Sequence, residues 1–116
     1  MKVMMRKRII IIAAGIVLYS ISWSASWAGE IILYEHSDFN GRSIIISSNI
    51  SNLHRIGWGD RVSSFRILSG MWTLYVDVNY MHPMVTLGPG DYNWIGAVGF
   101  PNDALSSLST VSQITE

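Results

Sequence analysis

Tyr34-Glu35-His36-Ser37-Asp38-Phe39-Asn40-Gly41 places two aromatic rings five residues apart, with a glycine two positions beyond the second. After 41 residues the same spacing returns as Tyr75-x4-Tyr80-x-His82. A second motif, Gly59-Asp60-Arg61-Val62-Ser63-Ser64, is matched 43 residues later by Asn102-Asp103-Ala104-Leu105-Ser106-Ser107. Two unlike motifs in the same order at nearly one period mark two copies of a single unit, about 29–69 and 70–111.

The segments between the motifs read as strands. Ile31–Tyr34, Ile44–Ile46, Phe65–Leu68, Trp72–Val76 and Met84–Leu87 are short β-branched and aromatic runs. They are separated by turn formers such as Asp38-Phe39-Asn40-Gly41, Ser69-Gly70 and Gly88-Pro89-Gly90-Asp91. Short strands at this interval predict an all-β sandwich or barrel. One helical turn is expected within Ser51–Ile56.

The 116 residues are 49% hydrophobic and formally uncharged, but the charges are segregated. Lys2, Arg6, Lys7 and Arg8 crowd the start, and the first acid is Glu30. From Gly29 onward four arginines face eight acids, the wrong balance for a nucleic-acid binder. The basic start, the apolar run Ile9–Leu18 and the small residues Ser26 and Ala28 follow the layout of a secretory signal peptide over residues 1–28. Cleavage after Ala28 would leave a domain of residues 29–116, secreted or periplasmic. An uncleaved membrane anchor is the competing reading. Ile9–Leu18 is ten residues long, however, and a spanning helix needs about 20. The chain has no cysteine, so an exported domain of this size gains no disulfide and a bound ion would be a useful source of stability.

These motifs resemble those of the βγ-crystallin family over essentially the whole segment after the leader. Tyr34, Phe39 and Gly41 match the family's folded first hairpin, and Trp58–Arg66 and Asn102–Leu108 are similar to its later strand. Gly90-Asp91-Tyr92 lies where the second unit often carries a tyrosine corner. The resemblance implies two Greek-key motifs packed as a β-sandwich of about eight strands. Independently of the family, rings five apart can stack across a folded hairpin, adding about 0.5–1.5 kcal/mol beyond burial. Gly41 can supply the positive φ that such a fold requires. A plain hairpin with two core aromatics is the simpler alternative, and the repetition weighs against it. With His82 and Pro83 in place of the glycine turn, the second hairpin is expected to be distorted or differently closed.

In that family the pattern Asn/Asp-Asn/Asp-x-x-Ser/Thr-Ser binds Ca²⁺, and its two copies exchange ligands. The resemblance therefore implies hydroxyl ligands from Ser63 and Ser106 and backbone carbonyls from Arg61 and Ala104. Asp60, Asn102 and Asp103 would supply side-chain oxygens, and carbonyls near Glu35 and Val76 would complete each shell. Ser64 and Ser107, with Tyr34, Phe39, Tyr75 and Tyr80, are the structural part of the pattern. Such all-oxygen sets suit Ca²⁺. The second copy fits at every constrained position, while the first has Gly59 where Asn or Asp belongs. One competent and one weakened site are expected, with either ion a candidate for the loss. Turn capping by Asp60 and Asn102-Asp103 is the plain alternative.

Other constellations carry less. His36, His54 and His82 lack short ligand spacing, which argues against zinc. No nucleophile-elbow pattern accompanies the serines, and Gly88-Pro89-Gly90 lacks the lysine and helix of a phosphate loop. Trp58, Trp72 and Trp94 offer a carbohydrate-binding face or, more commonly, packing. The reading is a non-enzymatic, monomeric calcium-binding module with a structural or surface role, a cell-surface or protein partner being left open. The alternative is a secreted proteinase inhibitor or small toxin on the same fold, with Trp94–Gly99 as its exposed loop.

Overall fold

Both copies open with the same alternation: Ile31 and Leu33 in one, Trp72 and Leu74 in the other, are fully buried, with half-exposed residues between them. A period of two is the signature of a strand with one face on a core. A computed structural model describes residues 29–111; the expected leader, residues 1–28, and residues 112–116 lie outside the described residues.

Seven strands are present among the described residues: β1 (Glu30–His36), β2 (Asn40–Ile46), β3 (Ser64–Ser69), β4 (Met71–Asp77), β5 (Met81–Leu87), β6 (Gly90–Tyr92) and β7 (Ser107–Val111). They form two antiparallel sheets, ordered β2-β1-β3-β6 and β5-β4-β7. Strand β6 follows β5 in sequence yet pairs with β3 of the first copy. In return, Ile50 of the first copy bridges to Leu108 on β7 through bonds of 3.0 and 3.1 Å. Seven strands and this one bridge stand against the expectation of about eight strands. The sandwich is thus two Greek keys, each completing the other's sheet.

The core between the sheets is apolar and continuous. Its largest fully buried members are Trp72, Phe65 and Phe100, and Leu53, Val62, Ile95, Leu105 and Leu108 are likewise fully buried. Trp58 and Trp72 lie in this core, and only Trp94 of the three tryptophans considered is exposed. Core packing accounts for Trp58 and Trp72, so the three do not share one exposed face. Tyr92 stacks on Phe65 at 4.8 Å and donates its hydroxyl to Gly88 O at 2.7 Å, forming the expected tyrosine corner.

The folded hairpins are near-duplicates. Tyr34 and Phe39 meet edge to face at 5.5 Å and 72°, and Tyr75 and Tyr80 at 5.6 Å and 69°. Folding back requires left-handed residues: Asp38 and Phe39 at φ 56° and 61°, Asn79 and Tyr80 both at 59°. A fully buried serine pins each fold. Ser64 Oγ donates to His36 O at 2.6 Å and accepts from Phe39 N at 3.0 Å. Ser107 Oγ does the same with Asp77 O at 2.6 Å and Tyr80 N at 3.1 Å.

The second hairpin is not differently closed. His82 itself takes the left-handed conformation, φ 56°, where Gly41 has φ 82°. The ring of His82 reaches Asp77, which ties the turn from outside. The change is confined to the bulge, which falls between Leu74 and Tyr75 instead of between Tyr34 and His36.

Two outcomes follow from the pinned hairpins. Ser64→Ala or Ser107→Ala strands a carbonyl and an N–H that one hydroxyl serves, so each should cost about 2–4 kcal/mol in chemical denaturation. Gly41→Ala forces a side chain into a left-handed turn and should cost about 1–2 kcal/mol in the same measurement.

Candidate functional site

Each copy delivers an aspartate and a serine to the same end of the sandwich. Asp60 and Asp103 sit on left-handed turns, both at φ 56°, which swing their carboxylates away from the strand that follows. Three residues on, Ser63 and Ser106 are almost fully buried and are fixed by the main chain. Ser63 N donates to Tyr34 O at 3.1 Å, and Ser106 N to Tyr75 O at 3.0 Å. The aromatic hairpin and the acidic turn are thereby brought together, with Glu35 and Val76 next in chain to the accepting carbonyls.

The side chains pair across the copies, not within them. Ser63 Oγ donates to Asp103 Oδ1 at 3.3 Å, and Ser106 Oγ approaches Asp60 Oδ1 at 3.5 Å and Ala104 O at 3.4 Å. Residues 40 or more positions apart become neighbours because the two units are related by a pseudo-twofold. Asn102 is exposed on the turn before Asp103, and Val76 is half-buried against the core.

The two halves of this arrangement differ. Around Ser63 and Asp103 lies an open cavity of about 240 Å³, lined by Glu35, His36, Asp60, Arg61, Ser63 and Asp103. That is room for an ion with several waters, each water occupying about 30 Å³. Glu35 is already engaged, since Arg42 donates to its Oε2 at 3.0 and 3.3 Å and Arg61 lies 3.7 Å away. The hydrogen bond from Arg42 holds the Glu35 carboxyl below the usual carboxylate range, with burial opposing it. Three carboxylates and two guanidiniums leave this half slightly negative, and Asp60 and Asp103 are the carboxylates still free of arginine.

Among the described residues, no three His, Cys, Asp or Glu side chains cluster tightly enough to hold a metal by themselves. Any cation here must lean on hydroxyls, backbone carbonyls and water. Such a donor set fits a hard ion of high coordination number and does not fit a four-ligand zinc cage.

Around Ser106 the space is filled. The imidazole of His54 projects from the 3₁₀ turn Leu53–Ile56, with Nε2 3.2 Å from Ser106 Oγ. Its ring lies against the α-carbon of Gly59, so that a Cβ at that position would fall 2.1 Å from Nδ1. The ring therefore stands where the side chain missing from the first motif would have projected. The copies explain the difference. Leu53 N donates to Ser106 O at 2.8 Å and Ile95 N to Ser63 O at 2.7 Å, which makes Gly96 the counterpart of His54. Sequence reasoning missed His54. The available signal was the drift of the repeat from 42 residues at the 3₁₀ turns (Leu53–Ile56 and Ile95–Val98) to 43 at the serines, which leaves Gly59 and Pro101 out of register.

Known proteins share this architecture. A protein from Ciona intestinalis, Beta/gamma-crystallin, is 36% identical over 80 residues, covering 69% of this chain and 95% of its own. The solved structure of a Ciona intestinalis beta gamma crystallin superposes with a TM-score of 0.69 over 71% of this chain and 99% of that one, at 35% identity. Beta-crystallin B2 of Canis lupus familiaris is 34% identical over 71% of this chain, which spans only 40% of that protein's length. A transition-metal-ion-binding betagamma-crystallin from Methanosaeta thermophila shares the fold, with a TM-score of 0.63 over 70% of this chain and 99% of its own at 24% identity. The Beta/Gamma crystallin family model matches residues 30–111, nearly every residue that builds the two sheets, and the chain belongs to the βγ-crystallin family.

Proposed function

We propose that this chain is an exported calcium-binding domain with a structural or surface-associated, non-enzymatic role. The observation that carries the reading is the meeting of Ser63 Oγ and Asp103 Oδ1, at 3.3 Å, on an open cavity whose donors are oxygens. Asp60, Asp103 and the Ser63 hydroxyl would hold the ion, and carbonyls of Arg61 and Glu35 would supply further oxygens. The bound ion would contribute charge neutralisation between two carboxylates that belong to different copies. Its effect is to tie the two Greek keys together where a disulfide cannot. Of the two half-sites, the Ser63–Asp103 half is the competent one, because the other is filled by His54.

The inhibitor reading loses its loop. Trp94–Gly99 folds as a 3₁₀ turn, Ile95–Val98, with Ile95 fully buried and its N–H bonded to Ser63 O. A docking loop needs an extended, separable segment, and this one is built into the core.

Calcium at 100 times its dissociation constant adds about 2.7 kcal/mol to a site that exists only in the folded state. For a domain of this size that corresponds to a rise in Tm of about 10–20 °C. Melting in millimolar Ca²⁺ against EDTA should show it, and calorimetric titration should count one ion per chain. Ser63→Ala/Asp103→Ala should abolish both signals. Identical melting of the unmutated chain in Ca²⁺ and EDTA would remove calcium from the account. Export has its own readout: the intact mass of the protein recovered outside the cytoplasm should correspond to a chain starting at Gly29.

A further inference from the structure

We propose that strand β2 is a docking edge for a second copy of this chain, which adds its own β2 antiparallel across a twofold axis. This goes beyond ion binding and uses none of the residues that line the cavity. A sheet edge presents unpaired N–H and C=O groups, and natural proteins shorten, interrupt or cover such edges. The two sheets have four. Strand β6 is three residues long and directly follows Pro89. Strand β7 is covered by the first copy, since Ile50 bridges to Leu108 and Asn49 Oδ1 accepts from Thr110 N at 2.8 Å. Strand β5 carries Pro83, which has no N–H, and its ladder is bulged there, with Tyr75 opposite Pro83 but Leu74 opposite Val85.

Strand β2 has none of these devices among the described residues. The irregularity of its ladder lies at the closed end of the hairpin, and Ser43–Ile46 run in unbroken register against Ile31–Tyr34. Ile44-Ile45-Ile46 is β-branched, uncharged and free of proline. The second copy shows that the fold does not require such a surface. Where β1 and β2 oppose Ile32 with Ile45, β4 and β5 oppose Thr73 with Thr86, whose hydroxyls meet at 2.8 Å. Ile45 is 61% exposed.

The edge selects its own occupant. Ser43-Ile44-Ile45-Ile46-Ser47 reads the same in both directions. An antiparallel pair centred on Ile45 therefore sets Ile45 against the partner's Ile45, Ile44 against the partner's Ile46 and Ser43 against the partner's Ser47. Every side chain keeps its face in that register. Arg42 falls opposite the partner's Ser48, so no like charges oppose each other. Five residue pairs bury less than the about 1,200 Å² of a small stable interface, so the dimer forms and parts with concentration. The monomer expected from the sequence is then the dilute state.

The test is sedimentation equilibrium of the chain as its cells produce it, from about 10 µM to about 1 mM, in EDTA so that calcium plays no part in the outcome. The weight-average mass should rise toward twice that of one chain. Ile45→Lys should remain monomeric throughout, and Thr86→Lys, at the matching place on β5, should associate as the unmutated chain does. Ile45→Thr gives β2 the residue that β5 already carries and should weaken association at least about tenfold. Circular dichroism of each variant establishes that the fold is retained. Ile45→Cys gives a second reading, because the chain has no cysteine of its own. Opposed residues of an antiparallel pair lie about 4.5–5.5 Å apart, within disulfide reach. Mild oxidation should join Ile45→Cys chains at least about tenfold faster than Thr86→Cys chains. A monomer at every concentration, association that Ile45→Lys and Ile45→Thr leave unchanged, or equal cross-linking at positions 45 and 86 would overturn the proposal.

Discussion

A buried hydroxyl under a folded hairpin is the interaction on which the rest of this molecule depends. Ser64 and Ser107 are both fully buried, and each closes its hairpin by donating to a carbonyl and accepting from the N–H three residues beyond that carbonyl. These two pairs of bonds hold four non-glycine residues in left-handed conformations that they would otherwise resist. The serine just before each pin, Ser63 or Ser106, is then committed to the end of the sandwich where the aspartate of the opposite copy arrives. A local demand of backbone geometry in one copy therefore positions the serine hydroxyl that meets the carboxylate of the other. Stability and candidate binding chemistry share one pair of dipeptides, Ser63-Ser64 and Ser106-Ser107.

Most of the architecture was legible because it is written twice. The aromatic spacing at Tyr34 and Tyr75 and the Ser-Ser dipeptides are local patterns, and their recurrence required nothing beyond the chain itself. That β1 and β4 are strands followed from their β-branched and aromatic residues, whereas which face is buried in the all-apolar run Ile31–Tyr34 did not. Less legible were features that depend on distant pairing. The bridge at Ile50 was not anticipated, because its pairing partner, Leu108, belongs to the other copy. His82 was expected to disturb its turn, yet it adopts the glycine conformation with Asp77 beside it. Propensity alone could not anticipate that compensation.

The candidate site was legible in its residues and not in its asymmetry. Asp60, Ser63, Asp103, Ser106 and the carbonyl of Ala104 are brought together across the two copies, and Gly59 falls in the copy whose gap the His54 ring occupies. What filled the gap was hidden, because His54 precedes the motif and points back into it from a short helical turn. A pattern read along the chain registers a missing side chain. It does not register another side chain reaching into the vacated volume from outside the pattern.

The exchange of edges between the sheets bears on how such a chain can arise. Strand β6 finishes the sheet of the first copy, and Ile50 finishes that of the second. A lone copy would carry an unfinished sheet with exposed backbone, a template for pairing. The partner of best fit for that edge is another molecule of the same sequence, arranged about a twofold axis. In the present chain both halves lie on one covalent strand, so each of these two edges is covered from within the molecule. Because both halves lie on one chain they need not be identical, and one carries Gly96 where the other carries the His54 imidazole.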